Sequence, residues 1–84
     1  MRTIETSIET PDGVADCMIE LEEDRCNVTS LYPNVINGFS RSEVYSHDLI
    51  KNENGKYGFD RTQDIHPKIA RLEEQIVGSI PGDI

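Results

Sequence analysis

The chain has 84 residues, with 16 acidic against 8 basic side chains and a net charge of −8. That charge disfavours direct contact with nucleic-acid phosphates or an anionic membrane and makes a basic protein the natural ionic partner. A chain with 36% hydrophobic residues and no tryptophan supports one thin-cored domain over residues 1–84, too short to divide into two.

Residues 3–9 alternate, with Ile4, Thr6 and Ile8 on one face and Glu5, Ser7 and Glu9 on the other, the period of a half-buried strand. Thr10-Pro11-Asp12-Gly13 supplies turn chemistry. A second strand over 14–22 then sets Ala15, Cys17, Ile19 and Leu21 opposite Asp16, Met18, Glu20 and Glu22. A polar break at 22–25 precedes a third strand over 27–32, with Val28, Ser30 and Tyr32 on one side. Pro33 lacks an amide proton and is expected to end it or hold it at an edge. Residues 34–42 show no period and read as an irregular loop. Its bulky groups Val35, Ile36 and Phe39, with Tyr32 before them, either plug the core or stand out as contact anchors.

Residues 43–51 and 56–61 are expected to pair around Asn54-Gly55 in a two-residue type I′ turn. That register sets Asn52 opposite Tyr57, Ile50 opposite Phe59 and Asp48 opposite Arg61. Ile65, Ile69, Leu72, Ile76 and Ile80 then draw an apolar stripe along one helix over about 65–77, capped by Asp64 and stopped at Gly78. The expected fold class is α+β: a small antiparallel sheet of two β-hairpins (ββββ), with one C-terminal amphipathic helix packed on one face.

Chemistry-bearing motifs are sparse. No apolar run opens the chain as a signal segment or reaches membrane-span length, and two cysteines cannot form a disulfide scaffold. Reduced thiols in a cytoplasmic setting are therefore expected, and the Asn27-Val28-Thr29 sequon reads as chance. Cys17 shares the core face of its strand and reads as a small buried hydrophobe. Cys26 follows Arg25, yet no His–acid pair is assignable to it. His47 and Asp48 are adjacent on a strand, point to opposite faces and form no dyad. His66 reads as a residue at the start of the helix. Neither a C-x-x-C pair nor close histidines offer a zinc site, and aligning Asn52-Glu53-Asn54-Gly55 with a calcium loop puts Ile50 and Arg61 at ligand positions. No glycine-rich phosphate loop is present. No catalytic, metal or cofactor residue is assigned.

The excess feature is acid. Asp16, Glu20 and Glu22 share a face with Glu5 and Glu9 across the first hairpin, with Met18 among them and Glu23 and Asp24 extending the set. Such a face is either simply solvated or a docking surface. The reading that follows is a small non-enzymatic interaction module, an accessory factor or inhibitor of the kind phages and mobile elements encode. Its contact residues would be Asp16, Glu20, Glu22, Tyr32 and Phe39, its partner a basic protein. The alternatives are a homodimer or larger structural assembly, a DNA mimic that occupies a nucleic-acid-binding protein, and, last, an enzyme built on Cys26 or His47.

Overall fold

The computed structural model describes residues 2–23 and 25–81, apart from the side chain of Ile36. Five strands follow in chain order: β1 (Arg2–Thr10), β2 (Gly13–Leu21), β3 (Cys26–Ile36), β4 (Phe39–Lys51) and β5 (Tyr57–Phe59). They form one antiparallel sheet in the order β1-β2-β3-β4-β5. Two short helices close the chain, α1 (Pro67–Ala70) and α2 (Glu73–Gly78). The protein is α+β and mostly a curled sheet, five strands with two short helices where four strands and one helix were expected.

The alternation of the first hairpin sets the core. Ile4 pairs with Ile19, Thr6 with Cys17 and Ile8 with Ala15, and β3 continues the same side with Val28 opposite Ile19 and Ser30 opposite Cys17. On β4 this inner side carries Tyr45, His47 and Leu49. Ile69, Leu72, Ile76 and Ile80 from the helical segment cover it, and Ile19, Val28, Ile69 and Ile76 are fully buried. All four stripe residues from Ile69 to Ile80 are thus core residues, as the helical spacing predicts.

The helix itself differs from expectation. It breaks at Arg71-Leu72, where Leu72 N–H donates to Ile69 C=O at 2.9 Å, a tight i→i+3 bond that closes the first turn before Glu73 opens the next. The start also moves. His66, not Asp64, is the N-cap, and its Nδ1 accepts from Lys68 N–H at 3.2 Å. Pro67 holds the first helical position, where a missing amide proton costs nothing.

Residues 34–42 are not an irregular loop. β3 and β4 run as one long hairpin from Cys26↔Leu49 to Ile36↔Phe39, turned by Asn37 (φ 51°) and Gly38 (φ 81°), the two successive positive φ values of a type I′ turn. β2 stops pairing with β3 at Asp16↔Leu31. Pro33 therefore lies beyond the reach of β2, and its lack of an amide proton interrupts no ladder bond on that side. The end of the hairpin stands out as a two-stranded arm, in a molecule measuring 45 × 24 × 19 Å.

The register of the last hairpin is shifted by one residue. Leu49 pairs with Phe59, Ile50 with Gly58 and Lys51 with Tyr57, so Ile50 does not face Phe59. Asn52 governs this connection: its Oδ1 accepts from the amides of Asn54 (3.0 Å) and Lys56 (2.9 Å), and its own N–H donates to Lys56 C=O at 2.7 Å. These bonds build a five-residue loop in which only Gly55 has positive φ, so a type I′ turn is excluded there. Arg61 turns away from Asp48 and pairs with Glu73 at 2.6 Å.

Candidate functional site

The helical segment covers one side of the sheet and leaves the other to solvent. By alternation, that outer side carries Glu5, Glu9, Asp16, Glu20 and Asp48. None of the eight Lys and Arg residues lies on its strands: Arg2, Arg41 and Lys51 alternate onto the inner side, Lys56 and Arg61 occupy connections, Lys68 and Arg71 belong to the helical segment, and Arg25, in the β2–β3 connection, borders the face at one end. Interleaved with the acids are Val14, Met18, Leu31, Val44 and Ile50, all exposed. The face is therefore acidic and apolar at once.

Cross-strand rows make its fine structure. Ser7 donates to Asp16 Oδ1 at 2.8 Å, and Asp16 pairs with Leu31, which pairs with Val44. The next row runs Glu5, Met18, Thr29, Ser46. A shallow depression over these two rows is lined by Glu5, Ser7, Asp16, Met18, Thr29 and Leu31. In the row beyond, Asn27 Nδ2 donates to Asp48 Oδ1 at 3.1 Å, and Ser46 donates to Asn27 Oδ1 at 3.2 Å. A second depression there adds Glu20, Glu22 and Ile50, with Arg25 on its rim. Two of the carboxylates, Asp16 and Asp48, are thus held by neighbouring polar groups, which limits the ordering a ligand would have to impose there.

The expected contact residues separate. Asp16 and Glu20 lie together on the outer face, and Glu22 stands just past the end of β2, its N–H donating to Arg25 C=O at 2.8 Å. Asp24 lies outside the described residues. Phe39 is 75% exposed, but it sits at the end of the arm and alternates to the other side of the ribbon from Val44. It is an exposed group, not a plug, and it is remote from the acids. Tyr32 is a correction: it is 4% exposed and belongs to the core. Its hydroxyl donates to Asp12 Oδ2 at 2.7 Å and the Lys68 ammonium lies 5.1 Å from its ring centre, so its side chain locks the first turn and α1 to β3. Its alternation with Val28 and Ser30 carried that signal in the sequence.

Sequence reasoning missed a polar cluster on the inner side, beside α1. Glu43 accepts from Tyr45 O–H and from Asn34 Nδ2. The bond from Tyr45 holds the Glu43 carboxyl below its ordinary pKa, and the same carboxylate pushes the Tyr45 phenol up. Tyr45 O–H lies 3.4 Å from His66 Nε2, their rings 4.4 Å apart. His66 N–H donates to His47 Nε2 at 3.3 Å, which places the proton of a neutral His47 on Nδ1. That Nδ1 is buried and has no hydrogen-bond partner among the described residues. The signal for this cluster was the alternation of Glu43, Tyr45 and His47 on β4.

Both cysteines are free and buried. Cys17 donates to Ser30 Oγ at 3.5 Å, and burial pushes the Cys26 thiol up to about 11, the opposite of nucleophile activation. Among the described residues, no three His, Cys, Asp or Glu side chains gather as a metal site, and no helix is long and apolar enough to cross a membrane. No family model, curated protein or solved structure matches the chain.

Proposed function

We propose that the chain is a non-enzymatic interaction module whose outer sheet face binds a basic polypeptide segment that also carries apolar side chains. One observation carries the reading: five carboxylates and five exposed apolar side chains share a face whose strands carry no basic residue, Arg25 at its border being the one Lys or Arg beside it. Ionic complementarity would accelerate encounter and select the partner, while Met18, Leu31 and Val44 would supply contact area. This mixture favours a protein surface over pure mimicry of a phosphate backbone, which would call for carboxylates without an apolar row between them. An accessory factor or inhibitor acts in this way.

Capture from the source cell at low salt tests the reading. Wild type is expected to retain a basic protein that binds again when purified, and Glu5→Lys/Glu20→Lys to lose it with an unchanged circular dichroism spectrum. Equal retention by the double variant, or no such partner for wild type, contradicts the proposal.

A further inference from the structure

We infer that β1 is a self-association edge, and that two copies of the chain pair antiparallel along it in one register, continuing the sheet across a two-fold axis. The strand lies at the end of the sheet and pairs with β2 over nine residues without a bulge. It lacks most of the devices that blunt an edge: it has no proline and no lysine, its only inward charge is Arg2 at its very end, and the charges along it, Glu5 and Glu9, point outward. The opposite edge is treated differently. There β5 is only three residues long, and beyond it the Gln63 side chain occupies the β4 backbone, accepting from Asp48 N–H (2.9 Å) and donating to Asp48 C=O (2.7 Å).

The side chains of β1 select a register. Centring the two-fold axis on Thr6 pairs all nine residues. Ile4 then faces Ile8 of the second copy on the inner side, while Glu5 faces Ser7 and Glu9 faces Thr3 on the outer side. No carboxylates are directly opposed. Moving the axis one residue toward the N-terminus sets Glu5 against Glu5. Moving it one residue toward the C-terminus sets Glu5 against Glu9 twice. Directly opposed like charges destabilise a strand pair, whereas aliphatic pairs support it. The symmetric register with the longest overlap is therefore free of charge conflict, and the registers one step to either side of it are not. This inference is independent of the proposed partner face, and salt separates the two: each copy carries a net charge of −8, so screening strengthens the self-pairing and weakens a basic partner's attachment.

Sedimentation and NMR on the full chain test it. Dimer is expected at high protein concentration, growing as salt is raised. Ile4 and Ile8 are about 13 Å apart along one strand, too far for a methyl–methyl Overhauser effect within one copy, so that cross-peak reports the pairing directly. Thr3→Glu, which opposes Glu9 twice, is expected to weaken the dimer about two- to thirtyfold, and Thr3→Lys to tighten it by a similar factor. Adding Glu9→Lys to Thr3→Glu restores it. A chain monomeric at millimolar concentration in high salt, a dimer without the Ile4–Ile8 cross-peak, or one indifferent to both Thr3 variants overturns the inference.

Discussion

His47 is the residue whose surroundings make the most definite demand. It is 4% exposed, accepts a backbone proton at Nε2 and stacks 5.5 Å from the Phe59 ring. Burial first and the neighbouring His66 second hold its pKa below the ordinary imidazole value of 6.5, with Asp48 opposing. A histidine that is harder to protonate when folded takes up more protons unfolded, so its contribution is complete above the unfolded pKa and falls as the pH drops through and below 6.5. Unfolding in urea is expected to show stability declining from pH 7.5 toward pH 5.5, with His47→Phe removing most of that slope. A flat wild-type profile contradicts it. The depressed carboxyls of Glu43 and Asp60 act at lower pH, below their ordinary values of 4.5 and 3.8. At Cys26, burial pushes the pKa up to about 11 from an ordinary 9.0, which lowers the thiolate fraction about a hundredfold. Alkylation of native protein is expected to lag correspondingly behind unfolded protein, and equal rates contradict the burial.

Among the elements, β5 and the connection after it are joined to α2 by one side chain. Glu73 accepts from Phe59 N–H at 2.8 Å and from Arg61 Nη2 at 2.6 Å. Removing it strands a part-buried amide, so Glu73→Ala is expected to cost about 1–3 kcal/mol. Arg61→Ala breaks only the exposed ion pair and is expected to cost under about 1 kcal/mol; comparable losses in thermal unfolding would reverse the assignment. The β4–β5 register has its own test. Leu49 is buried opposite Phe59 while Ile50 is exposed, so Leu49→Ala is expected to cost about 2–5 kcal/mol and Ile50→Ala to be nearly neutral. These same elements mark what sequence could reveal. Strands with one buried face, β1 and β2, show a clean period of two. The outer half of the β3–β4 hairpin buries neither face well, so Val35, Ser40 and Phe39 carry no alternation to read. Asn52 hid the register because its side chain, rather than Asn54-Gly55, shapes the connection. The apolar stripe from Ile65 to Ile80 is the same for one continuous helix and for two turns broken at Leu72, so spacing alone could not separate them. Pro67 did mark the helix start, because a proline at the first helical position places the cap on His66.

Across the whole molecule, the sheet divides charge as well as solvent. Its inner side is closed by Ile69, Leu72, Ile76 and Ile80, and its outer side gathers acids and apolar groups on strands that carry no outward Lys or Arg. The acidic part of this division was legible from the alternation of Glu5, Asp16 and Glu20. Its apolar component on β3 and β4 was not, because Leu31 and Val44 acquire neighbours only once the strands pair. On the proposed reading a basic partner docks on this outer side. Amide chemical-shift mapping of the labelled chain, titrated with its captured basic partner, tests it most directly. The account predicts perturbations concentrated at Glu5, Ser7, Asp16, Met18, Thr29 and Ser46; perturbations confined to α1, α2 and the arm around Phe39 would contradict it.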